Sequence, residues 1–78
     1  MTDRNGKEIY IGAPVTIFVE GCVPYVSVVT YIFRDSPQRQ IQVISYKDTY
    51  NYGRQRQYDS QEIQVMSDEQ AMLWKLEN

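Results

Sequence analysis

Between residues 34 and 58 the chain interleaves Arg34, Arg39, Lys47, Arg54 and Arg56 with Tyr46, Tyr50, Tyr52 and Tyr58. Cations hold phosphates and tyrosine rings stack on bases, so this composition suits a single-stranded nucleic acid. Tyr and Arg also dominate the energetics of protein interfaces. A third reading is a solvated sheet face on which Tyr and Arg pack across strands. Charge favours a protein over a nucleic acid. The chain has a formal charge of −2, and its last twenty residues hold Asp59, Glu62, Asp68, Glu69 and Glu77 against Lys75 alone. Asp35 and Asp48 lie inside the basic stretch itself. An acidic total repels a polyanion from most directions. The candidate binding surface is therefore Arg39, Tyr46, Lys47, Tyr50, Tyr52, Arg54, Arg56 and Tyr58. A protein is the expected partner, and single-stranded RNA or DNA is the alternative.

Catalytic chemistry is poorly provided for. The chain has no histidine and one cysteine. The usual general base and the commonest metal ligand are thus missing, and a zinc site within one chain lacks donors. Nothing near Cys22 in sequence would stabilise a thiolate, since its neighbours are apolar or, like Glu20, acidic. It reads as a small thiol in a loop or in the interior. Asp59, Glu62, Asp68 and Glu69 match no calcium-loop spacing, and turns and helix caps account for them. The four glycines are scattered and form no phosphate-binding loop. The expectation is a protein that is not an enzyme and holds no metal or cofactor.

No apolar run approaches the length of a membrane span, so no membrane partner is expected. Val19-Glu20-Gly21-Cys22 faintly matches a lipoprotein cleavage box, but Glu20 does not suit one. The expected location is the cytoplasm.

The elements that must carry these residues are strands. Seventy-eight residues make one domain with one thin core. Asn5-Gly6 predicts a two-residue hairpin turn between Thr2–Arg4 and Lys7–Ile11, with positive φ at both turn positions. Val15–Val19, Tyr25–Phe33, Gln40–Tyr46, Arg54–Tyr58 and Glu62–Met66 alternate or are rich in β-branched residues, and read as strands. Gly21–Pro24 and Asp35-Ser36-Pro37 separate them. The expected core is Val15, Ile17, Val26, Val28, Ile32, Ile41, Val43, Ile63 and Val65, with Leu73 or Leu76 over one end. The period changes at residue 67. Ser67-Asp68-Glu69-Gln70 has capping-box spacing, and a helix follows over about 68–77. Met72, Leu73 and Leu76 fall on one face, which predicts docking on the strands because so short a helix is marginal alone.

Gly12-Ala13-Pro14-Val15-Thr16-Ile17, then Gly21, then Val28-Val29-Thr30-Tyr31-Ile32 resembles the opening of small SH3-like barrels, including the KOW and Tudor-like groups. Asp59-Ser60-Gln61-Glu62-Ile63-Gln64-Val65 resembles their last turn and strand. The likeness covers about residues 8–66. The family's second glycine, before the second strand, is replaced here by Tyr25–Ser27. The resemblance implies a mostly β, SH3-like small barrel of about five strands with a short C-terminal helix. It also implies a phage or bacterial accessory or regulatory protein. The function expected is a non-catalytic module that docks a protein.

Overall fold

The computed structural model describes residues 1–45 and 55–77. Five strands form one antiparallel sheet: β1 (Pro14–Ile17), β2 (Tyr25–Ile32), β3 (Ile41–Ser45), β4 (Gln55–Tyr58) and β5 (Ile63–Val65). A 3₁₀ turn over Ser60–Glu62 precedes β5, and one helix, α1 (Asp68–Glu77), follows it. The mostly β class, the five strands and the single short C-terminal helix agree with the sequence expectation. The strand order is β4-β3-β2-β1-β5. The first four strands form a meander, and β5 returns beside β1. No pairing joins β4 to β5 among the described residues, so the sheet is open rather than a closed barrel. Its curl is nevertheless strong. The Tyr25 and Tyr58 hydroxyls, at the start of β2 and the end of β4, are hydrogen-bonded, and the two rings meet edge to face at 6.3 Å. Side chains thus bridge two strands that are not neighbours.

The buried core is Ile9, Ala13, Val15, Ile17, Val29, Ile32, Ile41, Val43, Ile63 and Val65. Val26 and Val28, expected inside, are only half-buried; Ser27 and Val29 point inward instead. The reason is a β-bulge. Val29 pairs with Val43, but Tyr31 pairs with Gln42, leaving Thr30 as an extra residue. Thr30 Oγ1 donates to the Gln42 carbonyl at 3.2 Å and accepts from Gln42 Nε2 at 3.3 Å, which pins the extra residue in place. An extra residue reverses which side chains face the core. Ile32 therefore points inward even though Val29, three residues earlier, also does. This makes a direct test possible. Val29→Ala is expected to cost about 2 kcal/mol and Val28→Ala less than about 1 kcal/mol, measured by urea denaturation. The reverse order would place the bulge elsewhere.

The N-terminal hairpin also differs from expectation. Only Gly6 of the Asn5-Gly6 pair takes a positive φ, at 84°. The Gly6 amide donates to the Asp3 carbonyl at 3.1 Å, and the Asp3 amide donates to the Lys7 carbonyl at 2.8 Å. This is a tight turn over Asp3–Gly6 with a glycine bulge, not a two-residue turn. Pairing beyond it shrinks to a single bridge between Thr2 and Glu8. The chain is held by a different device. The Asn5 and Lys7 amides donate to Asp3 Oδ1 at 2.8 Å each, and the Val65 amide donates to Asp3 Oδ2 at 2.7 Å. The Arg4 amide adds a bond to the Ile63 carbonyl at 3.0 Å. The turn thus covers the outer edge of β5, where unpaired donors would otherwise invite another strand.

At α1 the predicted capping box is present. The Gln70 amide donates to Ser67 Oγ, and the Ser67 amide donates to Gln70 Oε1, both at 3.1 Å. The expected docking of its apolar face is not: Leu73 and Leu76 are 56% and 79% exposed, and neither covers the core. Ile9 and Ala13, outside the expected core, are fully buried and belong to it.

Candidate functional site

The structure describes three of the eight residues that the sequence marks as a binding surface; Tyr46, Lys47, Tyr50, Tyr52 and Arg54 lie outside the described residues. Arg56 and Tyr58 alternate on one face of β4, opposite Val43 and Ile41. Arg56 is exposed at the sheet edge. Tyr58 is half-buried: its ring packs on the core and its hydroxyl bonds Tyr25. That geometry leaves the ring little face on which to stack a base. Arg39 stands in the turn before β3 with a φ of 53°, the one positive φ of a non-glycine residue among those described. Its amide donates to Asp59 Oδ1, and the Asp59 amide in turn donates to Glu62 Oε1 at 3.0 Å. Asp59 and Glu62 are thereby occupied in fastening the 3₁₀ turn to the start of β3. Cys22 is exposed in the loop before β2, beside Arg4, whose guanidinium lies 4.5 Å above the Phe18 ring. Among the described residues no three His, Cys, Asp or Glu side chains gather as a metal site.

A different surface stands out. Where β2 leaves the core, the bulge at Thr30 turns Tyr31 outward. Tyr31 and Phe33 form a tilted ring pair with centroids 4.7 Å apart. Without the extra residue, the inward series Ser27 and Val29 would continue to Tyr31 and Phe33, and Ile32 would face solvent. The bulge therefore performs two tasks at once. It brings Ile32 into the core and turns Tyr31 onto the surface beside the half-buried Phe33. Tyr10 and Ile11 stand opposite them, on the segment between the N-terminal turn and Gly12. Ile9 is buried, while Tyr10 and Ile11 are 53% and 60% exposed. The Gly12 amide donates to the Val29 carbonyl at 2.7 Å, which fixes this segment against β2. Gly12 takes a φ of 91°, a conformation that favours glycine.

Together these residues line an open groove of about 740 Å³, with Arg34, Asp35 and Glu8 on its rim. Its walls are chiefly aromatic and aliphatic. Such a groove suits apolar side chains of a ligand, with a few charges to set orientation. It holds no paired acid and base of the sort that proton transfer requires. The sequence reading passed over Tyr10, Tyr31 and Phe33. Tyr31 and Phe33 sit in a strand whose plain alternation hides a bulge, and Tyr10 sits in a stretch that the pattern assigns to a hairpin. The one available signal was the length of the Tyr25–Phe33 run, which exceeds that of the other strands.

No helix among the described residues is long and apolar enough to cross a membrane. No family model matches the chain, and no curated protein or solved structure matches it.

Proposed function

We propose that this chain is a non-catalytic binding module that takes an extended, apolar segment of a protein partner in the groove between Tyr10-Ile11 and Tyr31-Phe33. The observation that carries this reading is the bulge at Thr30, which turns Tyr31 outward against the half-buried Phe33 in the wall of an apolar groove. Bulges commonly re-aim side chains beside functional sites. An open groove suits an extended segment better than a compact small molecule. Arg34 and Asp35 on the rim would set its direction. The absence of histidine from the chain supports a non-catalytic role. The nucleic-acid alternative rests mainly on residues outside the described ones, and Tyr58 is engaged with Tyr25, so the groove carries the proposal. An SH3-like kinship is part of the same reading, supported by the four-strand meander with β5 returned beside β1. A role as an accessory factor of a phage or bacterium rests on the sequence resemblance alone.

The test is selection of peptides from a random library displayed on phage, with the folded chain immobilised. Enriched sequences are expected to carry apolar residues at alternate positions. A Tyr at the centre of an interface typically contributes about 2 kcal/mol. Tyr31→Ala should therefore weaken a selected peptide about thirty-fold, with the melting temperature little changed because the ring is half exposed. Equal affinity for the variant and the parent chain would remove the groove as the site.

A further inference from the structure

Beside the groove, one edge of β2 is left open. β1 pairs with β2 only from Tyr25 to Val28. One residue further on, the Val29 amide donates to the Ala13 carbonyl at 3.0 Å, and the Val29 carbonyl accepts from the Gly12 amide at 2.7 Å. There the covering chain leaves. The Ala13 amide donates to the Tyr10 carbonyl at 3.1 Å, closing a turn that takes the chain off the edge of β2. Antiparallel bonds alternate in direction along a strand, and the bulge at Thr30 resets the alternation. Beyond it, the Phe33 amide donates to the Gln40 carbonyl at 2.7 Å, on the β3 side. The N–H and C=O of Ile32, one residue earlier, therefore face the opposite way, into the groove that Ile32 lines. Neither has a hydrogen-bond partner among the described residues. Ile32 is only 9% exposed, and backbone groups at so buried a position are ordinarily paired.

We infer that the partner segment docks as an added strand on this edge of β2, in line with β1 and bonded to the N–H and C=O of Ile32. The inference rests on the groove reading above and adds the mode of recognition. One carbonyl of the segment accepts from the Ile32 amide, and one of its amides donates to the Ile32 carbonyl. Either strand direction satisfies the pair. Strand addition draws affinity from such main-chain bonds and selectivity from the side chains beside them. Ile32 alone offers an open pair here, so the main-chain bonds are weak by themselves and the apolar groove supplies the rest. The alternation of side chains fits the walls. The segment residue opposite Ile32 projects to the core side, where Ile9 also lines the groove. Its neighbours project to the face that carries Tyr31 and Phe33.

Amide hydrogen exchange, followed by nuclear magnetic resonance on the labelled chain with and without a peptide selected on it, tests this mode. In the free chain the Ile32 amide should exchange about tenfold or more faster than that of Val29, although both side chains are buried. A saturating peptide whose binding needs Tyr31 should slow the Ile32 amide by about tenfold or more. Methylating the peptide nitrogens one at a time should reveal one position at which affinity falls about tenfold. Three results overturn the inference and leave the groove standing: an Ile32 amide as slow as that of Val29 in the free chain, a Tyr31-dependent peptide that leaves it fast, or such a peptide that tolerates a methyl at every amide. A library that yields no Tyr31-dependent peptide overturns the groove itself, and the inference with it.

Discussion

Asp3→Asn is expected to destabilise the chain by about 3 kcal/mol at neutral pH, a large share of the stability of a domain this small. The carboxylate is only 2% exposed and accepts three backbone amides, from Asn5, Lys7 and Val65. The amide of an asparagine brings one N–H₂ where acceptors are needed, so at least one buried donor loses its partner. Each such loss costs about 1–3 kcal/mol. Acid titration of the parent chain should show the same contact. Burial pushes the Asp3 carboxyl up, but the three donated hydrogen bonds and the nearby Lys7 cation outweigh it, and its pKa lies below the usual 3.8. The folded pKa is thus depressed relative to the unfolded chain. The stabilisation it brings is complete above the unfolded value and is lost as pH falls through the folded one. Urea denaturation at about pH 7 and about pH 3 should show the gap between parent and Asp3→Asn narrowing in acid. A gap that is small at neutral pH, or that widens in acid, would show that Asp3 does not clamp the turn to β5.

Ile17→Ala is expected to cost about 3–4 kcal/mol and to lower the melting temperature by about 20 °C. Ile17 is fully buried and sits at the centre of three strands, opposite Tyr25 on β2 and Ile63 on β5. Removing three carbons there leaves a cavity under the curl of the sheet, with little slack to close it, because Val15, Val65 and Ile41 beside it in the core are themselves fully or almost fully buried. A variant that melts within a few degrees of the parent would place Ile17 outside the core.

The strands and the helix cap were legible because each rests on local chemistry. Val15 and Ile17, Ile41 and Val43, and Ile63 and Val65 alternate with polar residues, and all six are buried as that pattern implies. Ser67 and Gln70 exchange the two bonds that their spacing predicts. What escaped the sequence depends on long-range geometry. Nothing local says that Thr30 is an extra residue, since the bulge is defined by Gln42 on the facing strand. Every inward assignment on β2 before it therefore shifted by one, and Ser27 took a core position that valine was expected to hold. Asp3 is an ordinary turn residue until β5, some sixty residues later, presents Val65 to it. The helix itself was legible, but its expected docking on the sheet was not met, and Leu73 and Leu76 stay exposed. The same cause governed the site. Arg39 and Tyr58 drew notice by type, yet one is held at a turn by Asp59 and the other by Tyr25. Tyr31 and Phe33 became visible only once the bulge was known.

The claim that the bulge builds a peptide-binding groove meets its most direct test in a nuclear magnetic resonance titration of the isotope-labelled chain with a selected peptide. Backbone amide shifts should concentrate at Tyr10, Ile11, Tyr31, Phe33 and Arg34, the two walls and the rim of the groove, and should vanish in Tyr31→Ala. Shifts confined to Arg39, Arg56 and the strand that carries Tyr58, with Tyr10 and Tyr31 unmoved, would contradict it.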